Sequence, residues 1–129
     1  FDASCAVIFM LGVVEPQRSG IGGDGFIMMF DKLADKVSVI NATGPAPELS
    51  SQVKDFINYK SIKSSSVPGL VSGVIKMHEA KGSISLKECL KPAIIAASEG
   101  IPLSEDQGHS LEIESEMIKF TSLLQIPAE

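Results

Sequence analysis

Four glycines fall within residues 20–25 of the stretch "SGIGGDGF" (19–26), and any fold must accommodate a backbone almost bare of side chains there. Gly20, Gly22 and Gly25 spell G-x-G-x-x-G. That spacing cradles a dinucleotide pyrophosphate only when a strand precedes the glycines and a helix follows, because the helix N-terminus supplies the free N–H groups. Here the flanks run the other way. "ASCAVIFMLGVV" (3–14) is apolar on all sides, as suits a helix over 2–14 buried in a core. Pro16 ends it, since proline disfavours the helical region for the residue before it. After the glycines, "FIMMF" (26–30) has the length of a buried strand. The glycines therefore serve a turn that needs positive φ and close backbone packing. A dinucleotide module fails on context.

Downstream, "KVSVINA" (36–42) alternates Val37 and Val39 against Lys36, Ser38 and, less cleanly, Ile40, so 26–30 and 36–42 pair as a hairpin across a polar turn at 31–35. "TGPAPELSS" (43–51) reads as loop, and 54–66 is ambiguous. Val67-Pro68-Gly69 opens a helix through about Lys81, stopped by Gly82. Ser85 with Glu88 makes a capping box for a short helix over 86–90, and Pro92 starts a new helix at its first position. That helix closes on Gly100 with Pro102 beyond. Ser104 and Gln107 form a second capping box. Ile113, Met117, Phe120 and Leu124 then share one helical stripe. The order is helix, β-hairpin, then several helices, an α+β chain without internal repeats.

With 44% hydrophobic and 21% charged residues, the 129-residue chain has the composition of a globular domain. Eleven basic against sixteen acidic residues leave a net charge of −5, with no tryptophan and one tyrosine. No basic stripe with interleaved aromatics is present, which excludes a nucleic-acid partner of the usual kind. The 12-residue apolar run is too short for a membrane span and lacks the basic flank of a signal peptide. That inclines the localisation toward the cytoplasm over periplasm or secretion, although a chain that begins at Phe1 inside an apolar segment looks like part of a longer polypeptide. Cys5 and Cys89 lack metal or disulfide spacing and read as buried small hydrophobes. His78 sits near an apolar helical stripe and reads as packed or boundary. His109 reads as solvated, and Glu112, Glu114 and Glu116 as a solvated face. Ser64, Ser65 and Ser66 have no adjacent base and read as loop. No complete active site emerges from this inventory.

Five ordered blocks carry more. "FDAS" (1–4), "LGVVEPQRSGIGGDGF" (11–26), "VINATGPAP" (39–47), "SVPGLVSG" (66–73) and "LKPAIIAASEGIPLS" (90–104) resemble the γ-glutamyltranspeptidase family of N-terminal nucleophile hydrolases, in its order and spacing. The resemblance implies that residues 1–129 are the N-terminal portion of the family's large subunit, an incomplete piece of a four-layer αββα sandwich. It implies a precursor that cleaves itself to expose a threonine at the new N-terminus of the small subunit. That threonine attacks a γ-glutamyl amide with its own α-amine as base, and water or an amine resolves the acyl-enzyme. The implied partners are the rest of the large subunit, the small subunit and a small-molecule amide, with no cofactor and no metal.

No catalytic residue of that scheme lies in this chain. Its two threonines, Thr43 and Thr121, do not stand in the family's nucleophile motif. The block at 39–47 departs from the pattern as well. Transpeptidases carry an arginine and then a glutamate where this chain has Thr43 and Gly44. The arginine grips the substrate's α-carboxylate in a bidentate contact that threonine cannot replace. Thr43 and Gly44 are thus the expected substrate-binding residues, lining an acyl pocket with a neutral hydrogen-bonding group, and Arg18 is a candidate surrogate. Asp24 also stands in a stretch that is often all glycine and reads as a tolerated turn residue. The competing reading is a degenerate member kept as a scaffold or binding protein.

Overall fold

The computed structural model describes residues 1–52 and 64–113. The elements are α1 (Asp2–Val14), a one-turn α2 (Pro16–Ser19), β1 (Phe26–Asp31), β2 (Lys36–Asn41), a 3₁₀ turn (Glu48–Gln52), α3 (Leu70–Lys81), α4 (Leu86–Glu99) and α5 (Glu105–Ile113). The helix–hairpin–helices order holds. The expected loop at 43–51 ends in the 3₁₀ turn, and Pro16 opens α2 as well as ending α1. Residues 54–63 of the ambiguous segment, and Met117, Phe120 and Leu124 of the expected stripe, lie outside the described residues.

The strands pair antiparallel, with Phe26 opposite Asn41 and Asp31 opposite Lys36. Gly25 and Ala42 extend the ladder by one pair, exchanging N–H to carbonyl bonds of 3.4 and 2.9 Å. Paired residues share a face of the hairpin. Ile27, Met29 and Ile40 lie on the face that packs on the core, together with Lys36 and Ser38. The alternation in β2 is therefore read correctly as strand, but the valines point away from the core and Ile40 points to it. Phe26, Met28, Phe30, Val37 and Val39 form the opposite face and are 55–76% exposed.

Helix α1 packs chiefly on α4, while α3 bridges α1 to both strands. Their shared core is Cys5, Met29, Val74, Met77 and Cys89, flanked by Phe9, Ile27, Ile40 and Leu70 among others. Both cysteines are buried and free, as expected. Burial, with the neighbouring Cys89 adding to it, pushes the Cys5 thiol up to about 11. Helix α1 is not enclosed, however. Cys5 is its one buried residue, and Val7 remains 54% exposed.

The cap chemistry follows the sequence. At Ser85 the hydroxyl accepts from the Glu88 amide while the Glu88 carboxylate accepts from the Ser85 amide. Ser104 and Gln107 reciprocate in the same way, at 2.7 and 3.3 Å. Gly100 closes α4 with φ of 82°. Pro92, in contrast, starts no helix: α4 runs unbroken through it. The proline removes one backbone donor, but Cys89 and Ala93, four apart, are both buried on the same side of α4. That packing carries one helix across the proline.

A polar clasp ties the hairpin to the helices. The Asp31 carboxylate accepts the Leu33 and Ala34 amides of its own turn and pairs with the Lys81 ammonium at 2.6 Å. Asp35 completes the turn at φ of 47°.

Candidate functional site at a three-loop junction

The glycine stretch meets two other loops, residues 42–45 and 64–69. Its geometry corrects the expectation of positive φ, which none of Gly20, Gly22, Gly23 and Gly25 adopts. Close approach is the reason for glycine here. A Cβ on Gly25 falls 3.1 Å from Leu70 Cδ1, and one on Gly23 falls 3.3 Å from the Gly20 carbonyl oxygen. The Gly23 carbonyl accepts the amides of Gly69 and Leu70 at 3.3 and 3.1 Å. Those are orphan donors at the start of α3, which has no side-chain cap. The glycines do meet a helix N-terminus, but of a helix far along the chain, and they present a carbonyl to it.

Asp24 organises the junction. Its Oδ1 accepts the Gly44 amide at 2.8 Å, and its Oδ2 accepts the Ser66 hydroxyl. The Ser66 hydroxyl first, and the Gly44 amide second, hold the Asp24 carboxyl below its ordinary range. Asp24 is therefore a structural anchor rather than a tolerated turn residue, and Ser66 is its partner rather than plain loop. The Val67 amide adds a 3.0 Å bond to the Pro45 carbonyl.

Glycine is also required on the other two loops. A Cβ on Gly44 falls 1.3 Å from the Val67 carbonyl oxygen, so this position admits no side chain without separating the loops. Gly69 and Gly73 approach Ala42 less closely but still too closely for a side chain: a Cβ on either falls 2.3 Å from Ala42, on its carbonyl oxygen and its Cβ respectively.

Two clefts flank the junction. One, of about 210 Å³, is lined by Asn41, Thr43, Gly44, Gly69, Ser72 and Lys76 among others. Thr43 is exposed there, and its amide donates to Asn41 Oδ1 at 2.9 Å. The other, of about 480 Å³, is lined by Ile8, Arg18, Gly22, Gly23, Asp24 and Leu70 among others. Thr43 and Gly44 thus lie together in one cleft, while Arg18 lines the other beside Asp24. Sequence reasoning missed Lys76, whose side of α3 becomes visible only once the 42–45 loop is seen to lie against that helix. His109 and Glu112 are exposed on α5, whereas Glu114, Glu116 and Thr121 lie outside the described residues. His78 sits at a boundary, half-buried, with Nε2 2.8 Å from the Ile84 carbonyl oxygen.

A profile of the gamma-glutamyltranspeptidase family matches residues 1–126. The chain belongs to the gamma-glutamyltranspeptidase family. It is 34% identical over 126 residues to a glutathione hydrolase-like YwrD proenzyme of Bacillus subtilis, covering 94% of this chain and 24% of that protein. To scoloptoxin SSD14 of Scolopendra dehaani it is 34% identical over 115 residues, covering 85% of this chain and 20% of that protein. Among solved structures, gamma-glutamyltranspeptidase from Pseudomonas nitroreducens complexed with L-DON superposes with a TM-score of 0.80 at 26% identity, over 92% of this chain and 37% of that one. The Bacillus anthracis transpeptidase CapD superposes at 0.72 with 31% identity, over 90% and 36%. This gamma-glutamyltranspeptidase-family chain is accordingly a partial α+β piece of the N-terminal nucleophile hydrolase fold. It spans a fifth to a quarter of the length of the two sequence relatives. None of the described helices is long and apolar enough to cross a membrane.

Proposed function

We propose that residues 1–129 are the N-terminal portion of the large subunit of a self-processing amidohydrolase or acyltransferase acting on γ-glutamyl or related amides. The observation that carries this reading is the match to gamma-glutamyltranspeptidases along nearly the whole chain, in sequence and in backbone course. In this reading the nucleophile is a threonine outside this chain, freed at the N-terminus of the small subunit. Its hydroxyl attacks the amide carbonyl while its α-amine takes the proton. Backbone N–H groups stabilise the oxyanion, the amine leaves with the proton, and water or a second amine takes the acyl group. The three-loop junction contributes part of the acyl pocket, with Thr43 and the Gly44 backbone as its substrate-facing residues. Lys76, across the same cleft, supplies the positive charge that the family places at position 43. A monodentate ammonium replaces a bidentate guanidinium only in part. Losing a charge-assisted pair of that kind costs about 1.5–3 kcal/mol, roughly 10- to 150-fold in binding.

Intact mass and N-terminal sequencing of the protein expressed at its full encoded length test this. Two chains, the smaller beginning with threonine, are the expected result. In the processed enzyme, Thr43→Arg raises kcat/KM for a γ-glutamyl anilide, and Lys76→Ala lowers it about tenfold through KM. No gain from arginine in a folded variant removes Thr43 as the specificity position. The absent arginine also favours a second reading, a non-catalytic scaffold, which a single uncleaved chain supports.

A further inference from the structure

The helices converge at a second polar cluster, whose members line none of the clefts described above. Asp2 at the start of α1, His78 near the end of α3 and Cys89 in α4 bring a carboxylate oxygen, a ring nitrogen and a sulfur within 4.8 Å of one another. We propose that this junction binds one divalent cation of the zinc class through Asp2, His78 and Cys89, cross-linking the three helices.

Geometry supports the assignment. Tetrahedral zinc, with bonds of about 2.0–2.3 Å, sets its ligand atoms roughly 3.3–3.8 Å apart. The His78 Nε2 to Asp2 Oδ1 separation is already 3.8 Å. Closing the set therefore takes side-chain shifts of about an ångström or less. The donors choose the metal: a thiolate with an imidazole and one carboxylate suits zinc and disfavours magnesium and calcium. The two anionic ligands also neutralise the ion.

The ligands are supported from behind, as metal ligands usually are. The Ser83 hydroxyl donates to Asp2 Oδ2 at 2.5 Å, and the Ser83 amide donates to Oδ1 and Oδ2 at 3.0 and 3.1 Å, which fixes the carboxylate and leaves the second lone pair of Oδ1 for a metal ion beside His78. The imidazole ring is packed against the backbone, since a Cβ on Gly82 falls 2.6 Å from His78 Cδ2. Without an ion, Nε2 donates its proton to the Ile84 carbonyl oxygen 2.8 Å away. On binding, that proton moves to Nδ1 as the ring changes tautomer, and Nε2 offers its lone pair to the metal. The Cys89 thiol loses its proton to solvent, so one proton is released per ion. The Ile84 carbonyl, freed of its donor, is at hand for the fourth position. Cys5 lies beside Cys89 but is not among the ligands.

The test uses the protein at its full encoded length, stripped with chelator and titrated with Co²⁺ and then Zn²⁺. One Co²⁺ per chain with a near-ultraviolet thiolate-to-cobalt charge-transfer band is expected. That band is lost in Cys89→Ser and kept in Cys5→Ser. Calorimetry of Zn²⁺ binding in buffers of different ionisation enthalpy is expected to show release of one proton. Ser83→Ala weakens binding about 10- to 100-fold while leaving the band. No band, or a band that survives Cys89→Ser, overturns the proposal. X-ray absorption of the zinc-loaded wild type decides independently of any variant's folding. One sulfur among nitrogen and oxygen neighbours supports the site, and a shell with no sulfur or two sulfurs overturns it.

Discussion

At the scale of single residues, the junction turns on Asp24 and on the glycines that let it reach its partners. Its carboxyl sits below the ordinary 3.8 because the charged form accepts from Ser66 and Gly44. A group whose folded pKa is depressed contributes fully above its unfolded pKa and loses that contribution as pH falls through the folded value. Asp24→Asn is therefore expected to lower the Tm at neutral pH, and the gap from wild type should close below about pH 3.8. Thermal melts of both proteins across pH 3 to 7 check this. Asp24→Ala and Ser66→Ala share one contact, so their Tm losses should combine to less than their sum. Gly44→Ala is more severe, because its Cβ meets backbone and not a mobile side chain. Overpacking of this kind costs at least about 1–3 kcal/mol, measurable by urea unfolding of any folded product. Neither role was legible in the sequence. Asp24 and Ser66 are 42 positions apart, and no local pattern reports a partner at that distance. That the glycines are packing residues was half legible, since their flanks excluded a nucleotide loop while φ depends on the loops opposite.

At the scale of elements, local chemistry predicted what local chemistry controls. Both capping boxes form where Ser, Glu and Gln place them, and Gly100 ends α4 in the conformation that favours glycine. Ser85→Ala should cost about 1 kcal/mol, seen as a lower urea midpoint with an unchanged slope. The misreadings arise where tertiary packing outweighs the local signal. Pro92 carries a strong signal for starting a helix, yet the buried faces of Cys89 and Ala93 continue one helix across it. In β2, periodicity shows a strand but not which side is covered. Two valines outweigh one isoleucine on any hydrophobicity count, and it is α3 that makes Ile40 the inward residue. The presence of Lys76 in the same cleft as Thr43 belongs to the same class, because it depends on how a loop lies against a helix.

For the molecule as a whole, the uncovered surfaces carry the meaning. A two-stranded hairpin is marginal by itself in water, and this one presents Phe26, Met28, Phe30, Val37 and Val39 on its open face. An apolar face of that kind belongs against another layer, consistent with a chain that spans a fraction of its relatives' length. Met28→Glu separates the alternatives by sign. In residues 1–129 expressed alone it should raise solubility and reduce binding of a hydrophobic dye. In the protein at full encoded length it should lower the yield of folded product, because the same face is then buried. A gain in both settings means that the face stays open in the finished protein.

The bond from Gly69 and Leu70 to the Gly23 carbonyl also orders events in time. As the chain leaves the ribosome, α1, the glycine loop and the hairpin appear before α3, and the Gly23 carbonyl is left to water until the later helix arrives. The first turn of α3 in turn has no cap of its own to nucleate it, so docking and helix initiation are one step. Amides at a helix start normally exchange quickly with solvent. The Leu70 amide should instead exchange only when the glycine loop lifts away, at a rate matched by Gly69 and slowed in concert with Gly44. Deuterium uptake resolved at those three amides would time the closing of the junction, and Asp24→Asn should quicken all three together.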